Sequence, residues 1–360
     1  MTPAGLASHP GLIHGRVTMD DGTVYEGRLR WGGDEEALWT HHFNGRKVGK
    51  ARPFLARFGD IARIETGLRE IRVILKSGAA STLDRFEADD LADGLRIWDA
   101  DRGVVDLGEW RIRTVEFLPG PAVGEGPRPL HGTVRTTQGD FTGFLQWDRE
   151  AGLVTDTLVG MGPDGEFRVR FDAIAAIERR SPESALVTLV DGTALVLADT
   201  RHVGDGHRGV YVDDARYGRV LVSWDAFERV AFDDGGTGPG YDDFPIGRPL
   251  EGTVTTRSGD RLAGRIVYDL DERQTTETLD APRRGIDYLI TFDLIAAIEL
   301  PGGGAGGPPA RVTLRSGETV ALERAGDLGS GNGGVQIFGE GDEDPRFVPW
   351  ADVARIDLAG

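Results

Sequence analysis

The chain has no cysteine. That excludes disulfides, thiolate metal centres and cysteine nucleophiles. Lysine is nearly missing as well, present only at Lys47, Lys50 and Lys76, so arginine carries almost all the positive charge. The formal net charge is −18, which opposes nucleic-acid binding because a phosphate-binding surface needs clustered Lys and Arg to release counterions. No apolar run approaches the ~18 residues of a membrane-spanning helix. Residues Met1 to Pro10 lack the basic and apolar regions of a signal peptide. The expectation is a soluble chain, cytoplasmic by default, with an envelope or periplasmic location open if a leader has been removed. Peripheral membrane association is compatible with this composition. Long amphipathic helices are also missing, and 53 glycines disfavour them.

What the chain has is a threefold repeat. Gly15, Val17 and Gly22 recur as Gly132, Val134 and Gly139, then as Gly252, Val254 and Gly259. Each phrase closes on a glycine and an apolar residue: Gly27 and Leu29, Gly143 and Leu145, Gly264 and Ile266. The first glycines lie 117 and 120 positions apart, so each copy is a domain rather than a solenoid turn. Further landmarks keep the same order. Phe58, Ile61 and Ile64 match Phe171, Ile174 and Ile177, and Phe292, Ile295 and Ile298. Val73, Leu75 and Gly78 match Val187, Leu189 and Gly192, and Val312, Leu314 and Gly317.

The apolar alternation and the glycine turns predict strands and hairpins, because a tight hairpin turn needs positive φ. The Phe-x-x-Ile-x-x-Ile spacing predicts one helical turn leading into a strand. Gly/Pro-rich stretches at Pro119–Pro127 and Asp233–Gly240 separate the copies. The expected architecture is all-β: three tandem homologous domains at 12–118, 129–234 and 248–360. Each is a small β-barrel or β-sandwich of about 110 residues and about six strands, which buries apolar surface without exposed edges. The first hairpin resembles the opening of Sm-like and SH3-like small barrels. That resemblance implies RNA binding, which the acidic charge opposes.

No nucleophile elbow, HExxH pair, phosphate loop or dinucleotide fingerprint occurs. No cofactor or metal is therefore expected. Trp110, Trp224 and Trp350 are taken as one shared core position, and Trp31, Trp147 and Tyr268 as another. Trp39 has no aromatic counterpart, since Val154 and Thr275 stand opposite it. Around it lie His41, His42, Arg46, Lys47, Lys50 and Arg52 in an otherwise acidic chain. These seven residues form the candidate partner-docking patch. His202 and His207 are a weaker metal candidate, as the other copies have no histidine there. The expected function is non-catalytic: an interaction protein, specifically an extrinsic scaffold or stabilising subunit of a larger protein assembly, membrane-associated or free. A carbohydrate-binding or carbohydrate-active β-protein is the alternative, and a small-barrel RNA binder a further one disfavoured by charge.

Overall fold

The computed structural model describes residues 10–32, 35–39, 42–48, 53–88, 91, 94–121, 127–302, 307–341 and 344–360. The first stretch of chain forms β1 (His14–Met19), β2 (Val24–Trp31), β3 (His42–Arg46), β4 (Pro53–Arg57), β5 (Ile61–Thr66), β6 (Glu70–Leu75), β7 (Ala80–Asp84), β8 (Leu95–Asp99), β9 (Gly103–Leu107) and β10 (Ile112–Phe117). The second forms β11 (His131–Thr136), β12 (Gly139–Gln146), β13 (Thr157–Gly162), β14 (Gly165–Arg170), β15 (Ile174–Ser181), β16 (Ser184–Leu189), β17 (Ala194–Ala198), β18 (Val210–Asp214), β19 (Gly218–Val222) and β20 (Phe227–Asp233). The third forms β21 (Glu251–Thr256), β22 (Arg261–Tyr268), β23 (Thr278–Arg283), β24 (Ile286–Thr291), β25 (Ile295–Glu299), β26 (Ala310–Leu314), β27 (Thr319–Leu322), β28 (Val335–Phe338), β29 (Arg346–Val348) and β30 (Val353–Leu358).

The fold is all-β, with antiparallel, sandwich-like sheets and no closed barrel among the described residues. The barrel alternative is thereby corrected: the eight-stranded sheets run from β7 to β9 and from β27 to β29, and these end strands do not pair with one another to close the sheet. The chain divides into two compact units. One contains residues 1–134, 143–208 and 229–246; the other contains residues 135–142, 209–228 and 247–360. The second stretch contributes strands to both.

Within the first compact unit one sheet runs β7-β6-β5-β10-β1-β2-β8-β9. Within the second, a sheet runs β27-β26-β25-β30-β21-β22-β28-β29. The two orders are the same, with every label raised by twenty. In the second stretch, β17, β16, β15 and β20 pair in series as β7, β6, β5 and β10 do, through registers such as Val187↔Leu195, Ile177↔Val187 and Ile177↔Val230.

The recurring glycines have a steric cause. A Cβ on Gly15 would lie 2.4 Å from the Glu116 carbonyl oxygen, and one on Gly252 would lie 2.1 Å from that of Asp357. Strand backbones cross too closely there for any side chain. The expected helical turns are present as 3-10 turns at Phe58–Asp60, Phe171–Ala173 and Phe292–Leu294, each leading into β5, β15 or β25. The alternating strands sort their residues as expected: Ile71, Val73 and Leu75 of β6 face the core while Glu70 and Arg72 are exposed. Among the described residues each stretch holds ten strands rather than about six. The extra hairpins are β3–β4, β13–β14 and β23–β24, and β8–β9, β18–β19 and β28–β29; of these only β13–β14 carries an Asp-Gly turn, at Asp164-Gly165.

Candidate functional site

Trp39 is 3% exposed and belongs to the apolar core of the first compact unit. It therefore leaves the expected docking patch. Its ring meets Phe144 at a centroid distance of 5.1 Å and lies against Gly238, where a Cβ would approach it to 3.0 Å. Both contacts are with chain beyond the first stretch. Backbone bonds also revise its counterparts. The Leu38, Val154 and Thr275 amides donate to the carbonyls of Gly11, Arg128 and Arg248, so Trp39 corresponds to Thr155 and Thr276. Of the other patch residues, Arg46 pairs with Glu87 at 3.0 Å. Lys47 stands 5.5 Å from the Phe54 ring, and His42 is half-buried on β3. His41, Lys50 and Arg52 lie outside the described residues.

Beside Trp39, the chain grips one of its own segments. Lys76 stands with its Nζ 3.7 Å from the Tyr241 ring centroid and donates to the Tyr241 carbonyl. The Tyr241 hydroxyl donates to the Ile61 carbonyl at 2.8 Å. Arg57, bonded to Asp60 at 2.8 Å, lies 5.4 Å from the Phe244 ring. The Phe244 ring sits where a Gly59 Cβ would be, at 2.5 Å. Asp172 and Asp293 replace Gly59 in the other stretches, so this dock is confined to the first.

The tryptophan assignment holds for Trp31, Trp147 and Tyr268, all at most 1% exposed. It fails at Trp110, which is 58% exposed while Trp224 and Trp350 are buried. Pairing registers Ile64↔Val115, Ile177↔Val230 and Ile298↔Ile356 put Glu109, not Trp110, at the Trp224 and Trp350 position. One residue around a 3-10 turn points the indole outward. There the Arg85 guanidinium lies 4.2 Å from its ring.

His202 accepts the Val159 amide at Nδ1, 3.0 Å away, and its carbonyl accepts the Trp147 indole at 2.9 Å. His207 is 7% exposed with its ring 4.8 Å from that of Trp147. Burial, then His202 and Arg208, pull His207 down to about 3. These are packed, neutral rings, and no cluster of three or more candidate metal ligands occurs among the described residues. Asp156 and Glu277 serve their own turns: Asp156 accepts from Gly152 and Leu153, Glu277 from Arg273 and Gln274.

A recess with convergent polar groups lies in the second compact unit. Its volume is about 570 Å³, and its lining includes Arg257, Arg324, Asn332, Phe347 and Trp350. Arg257 sits on the β21–β22 turn and donates to the carbonyls of Ala351 at 2.8 Å and Leu300 at 3.3 Å. Arg324 follows β27 and donates to Pro301 at 3.2 Å and Leu328 at 3.3 Å. Neither guanidinium forms an ion pair among the described residues. Burial and the neighbouring Arg257 charge hold Arg324 below its usual range. The Trp350 Nε1 is buried without a hydrogen-bond partner. Phe347 is 53% exposed, its ring resting on Gly334, where a Cβ would intrude to 2.8 Å. Sequence reasoning missed this site. Its one signal was Arg257, standing where the other two stretches have Asp20 and Thr137.

No family model, curated protein or solved structure matches the chain. No helix among the described residues is long and apolar enough to cross a membrane.

Proposed function

We propose that this chain is a non-catalytic interaction protein, an extrinsic scaffold or stabilising subunit of a larger protein assembly. The observation that carries the reading is the recess of Arg257 and Arg324: two guanidinia, held by carbonyls and without a carboxylate, in a chain of net charge −18. Fixed donors of this kind recognise a partner group, since arginine keeps its charge and does not exchange protons at neutral pH. The grip on Tyr241 and Phe244 supports the same reading, because it displays cation–ring capture of a peptide segment within the chain. Affinity isolation of the tagged full chain, beside a variant carrying Arg257→Asp and Arg324→Gln, tests it. A partner recovered with the wild type and lost with the variant is the expected result. The same partner set from both would count against the recess.

A carbohydrate-binding role is the second reading, favoured by the exposed Phe347 ring beside buried Trp350 in one recess. A glycan array on which the chain gives saturable signal, lost in Phe347→Ala, would favour it over the first.

A further inference from the structure

The Arg257 recess has a counterpart in the first compact unit, built on the same frame but with opposite charge logic. Arg85 follows β7 as Arg324 follows β27, two residues beyond Leu83 and Leu322, which pair with Ile71 and Ala310. Arg85 donates to the Gly67 carbonyl at 2.6 Å. Gly67 and Pro301, the acceptor for Arg324, each lie three residues past the matched Ile64 and Ile298. The Asp20 amide donates to the Arg111 carbonyl at 2.7 Å, and the Arg257 amide to that of Asp352 at 2.8 Å. Asp20 and Arg257 thus occupy one position, Asp21 and Ser258 the next.

The charges on that frame differ. In the first compact unit, Arg111 pairs with both Asp20 and Asp21, so the site is internally neutralised. In the second, Arg257 and Ser258 replace both aspartates. Asp352, in place of Arg111, pairs with neither Arg257 nor Arg324 among the described residues. Each of those guanidinia spends two donors on carbonyls, out of five available. The remaining donors, with the unsatisfied Trp350 indole, suit an anion. Beside them stand the exposed Phe347 ring and Pro349, an apolar wall. A volume of about 570 Å³ falls in the range of small-ligand sites.

We infer that this recess binds a carboxylate carried on an aromatic body, with Arg257, Arg324 and the Trp350 indole N–H taking the carboxylate and Phe347 and Pro349 taking the ring. A planar, singly charged head fits the guanidinium fork, and a dianion would meet more repulsion from a protein of net charge −18. The inference deepens the binding role proposed above and rests on it. Two sources supply this chemistry: a free aromatic acid, or an acidic–aromatic stretch of polypeptide like the Tyr241–Phe244 segment already gripped inside the chain.

The test is a titration of the full chain by calorimetry with four probes: 3-phenylpropionate, its amide, inorganic phosphate, and a peptide whose terminal phenylalanine follows two aspartates. The acid is expected to bind at least about tenfold more tightly than the amide and than phosphate. Arg257→Asp, which restores the residue of the first stretch, is expected to abolish that preference. It also gives up the bonds to Ala351 and Leu300 and faces Asp352, so a fall of a few degrees in melting temperature is expected with the far-ultraviolet circular dichroism spectrum unchanged. Arg257→Gln, which keeps a donor without the charge, is expected to lose the preference as well. A peptide about tenfold tighter than the free acid assigns the source to polypeptide; equal affinity assigns it to a small acid. Amide binding equal to acid binding, or full affinity in Arg257→Asp, overturns the inference. Full acid affinity in Arg257→Asp, in a preparation that still recovers its partner complex, sinks the inference but spares the scaffold reading. Acid binding by a chain isolated without any partner does the reverse.

Discussion

Lys76 places its ammonium 3.7 Å from the centroid of the Tyr241 ring, although the two residues lie far apart in sequence. The contact is half-buried, and burial, the largest influence, lowers the lysine's proton affinity. Burial of the phenol pushes Tyr241 up to about 12. Lys76→Met keeps the aliphatic stem and removes the charge, so it should cost about 0.5–2 kcal/mol in urea unfolding.

Gly59 sets the other end of this dock. Gly59→Ala drives a methyl into the Phe244 ring, which a Cβ would meet at 2.5 Å, and should destabilise by about 1–3 kcal/mol. In a Phe244→Ala background the same substitution should cost much less. Equal costs in the two backgrounds, measured by a double-mutant cycle, would show that the ring does not fill that space.

Trp39 and Arg46 were expected to share one surface, and their stabilities should now part. Trp39→Ala empties a buried site against Phe144 and should cost roughly 3–5 kcal/mol. Arg46→Ala breaks an exposed pair with Glu87 and should cost at most about 1 kcal/mol. Thermal unfolding of the two variants checks the contrast.

His207 and Glu272 predict opposite pH slopes. His207 falls to about 3 in the fold from an ordinary 6.5, so the unfolded chain binds the extra proton between those values. Stability is then complete above pH 6.5 and is lost as pH falls toward 3. Glu272 is pushed up to about 8, first by burial and then by Asp327, Glu277 and Asp271. Its contribution is complete below pH 4.5 and is lost as pH rises through 8. His207→Gln should flatten the acid limb, and Glu272→Gln should gain roughly a few kcal/mol at pH 9 with little change at pH 4.5. Denaturant melts across pH read both, and a slope unchanged by either variant would contradict that residue's assignment.

Much of the fold was legible because glycines and apolar pairs mark its tightest constraints. The Gly15, Gly132 and Gly252 phrase survives in each stretch since a carbonyl crosses each glycine, and the Phe58 phrase announces its 3-10 turn by spacing alone. Legibility failed where one residue of slip reverses a side chain. Trp110 looked like Trp350 in sequence and points to solvent, because its 3-10 turn carries the tryptophan one position later. Trp39 failed for a different reason: its partners Phe144 and Gly238 come from distant chain, which local pattern does not reveal. The recess was hidden in the same way. Arg257 and Arg324 are ordinary surface arginines in sequence, and only strand pairing brings them together without a carboxylate.

The central claim is that this chain works by binding a partner through the Arg257 recess. Native mass spectrometry of the full chain gently isolated from its source cells measures that most directly. The account predicts a partner in fixed stoichiometry, lost on Arg257→Asp while the variant chain stays folded. A wild-type chain that emerges alone, at every ionic strength tried, would contradict it.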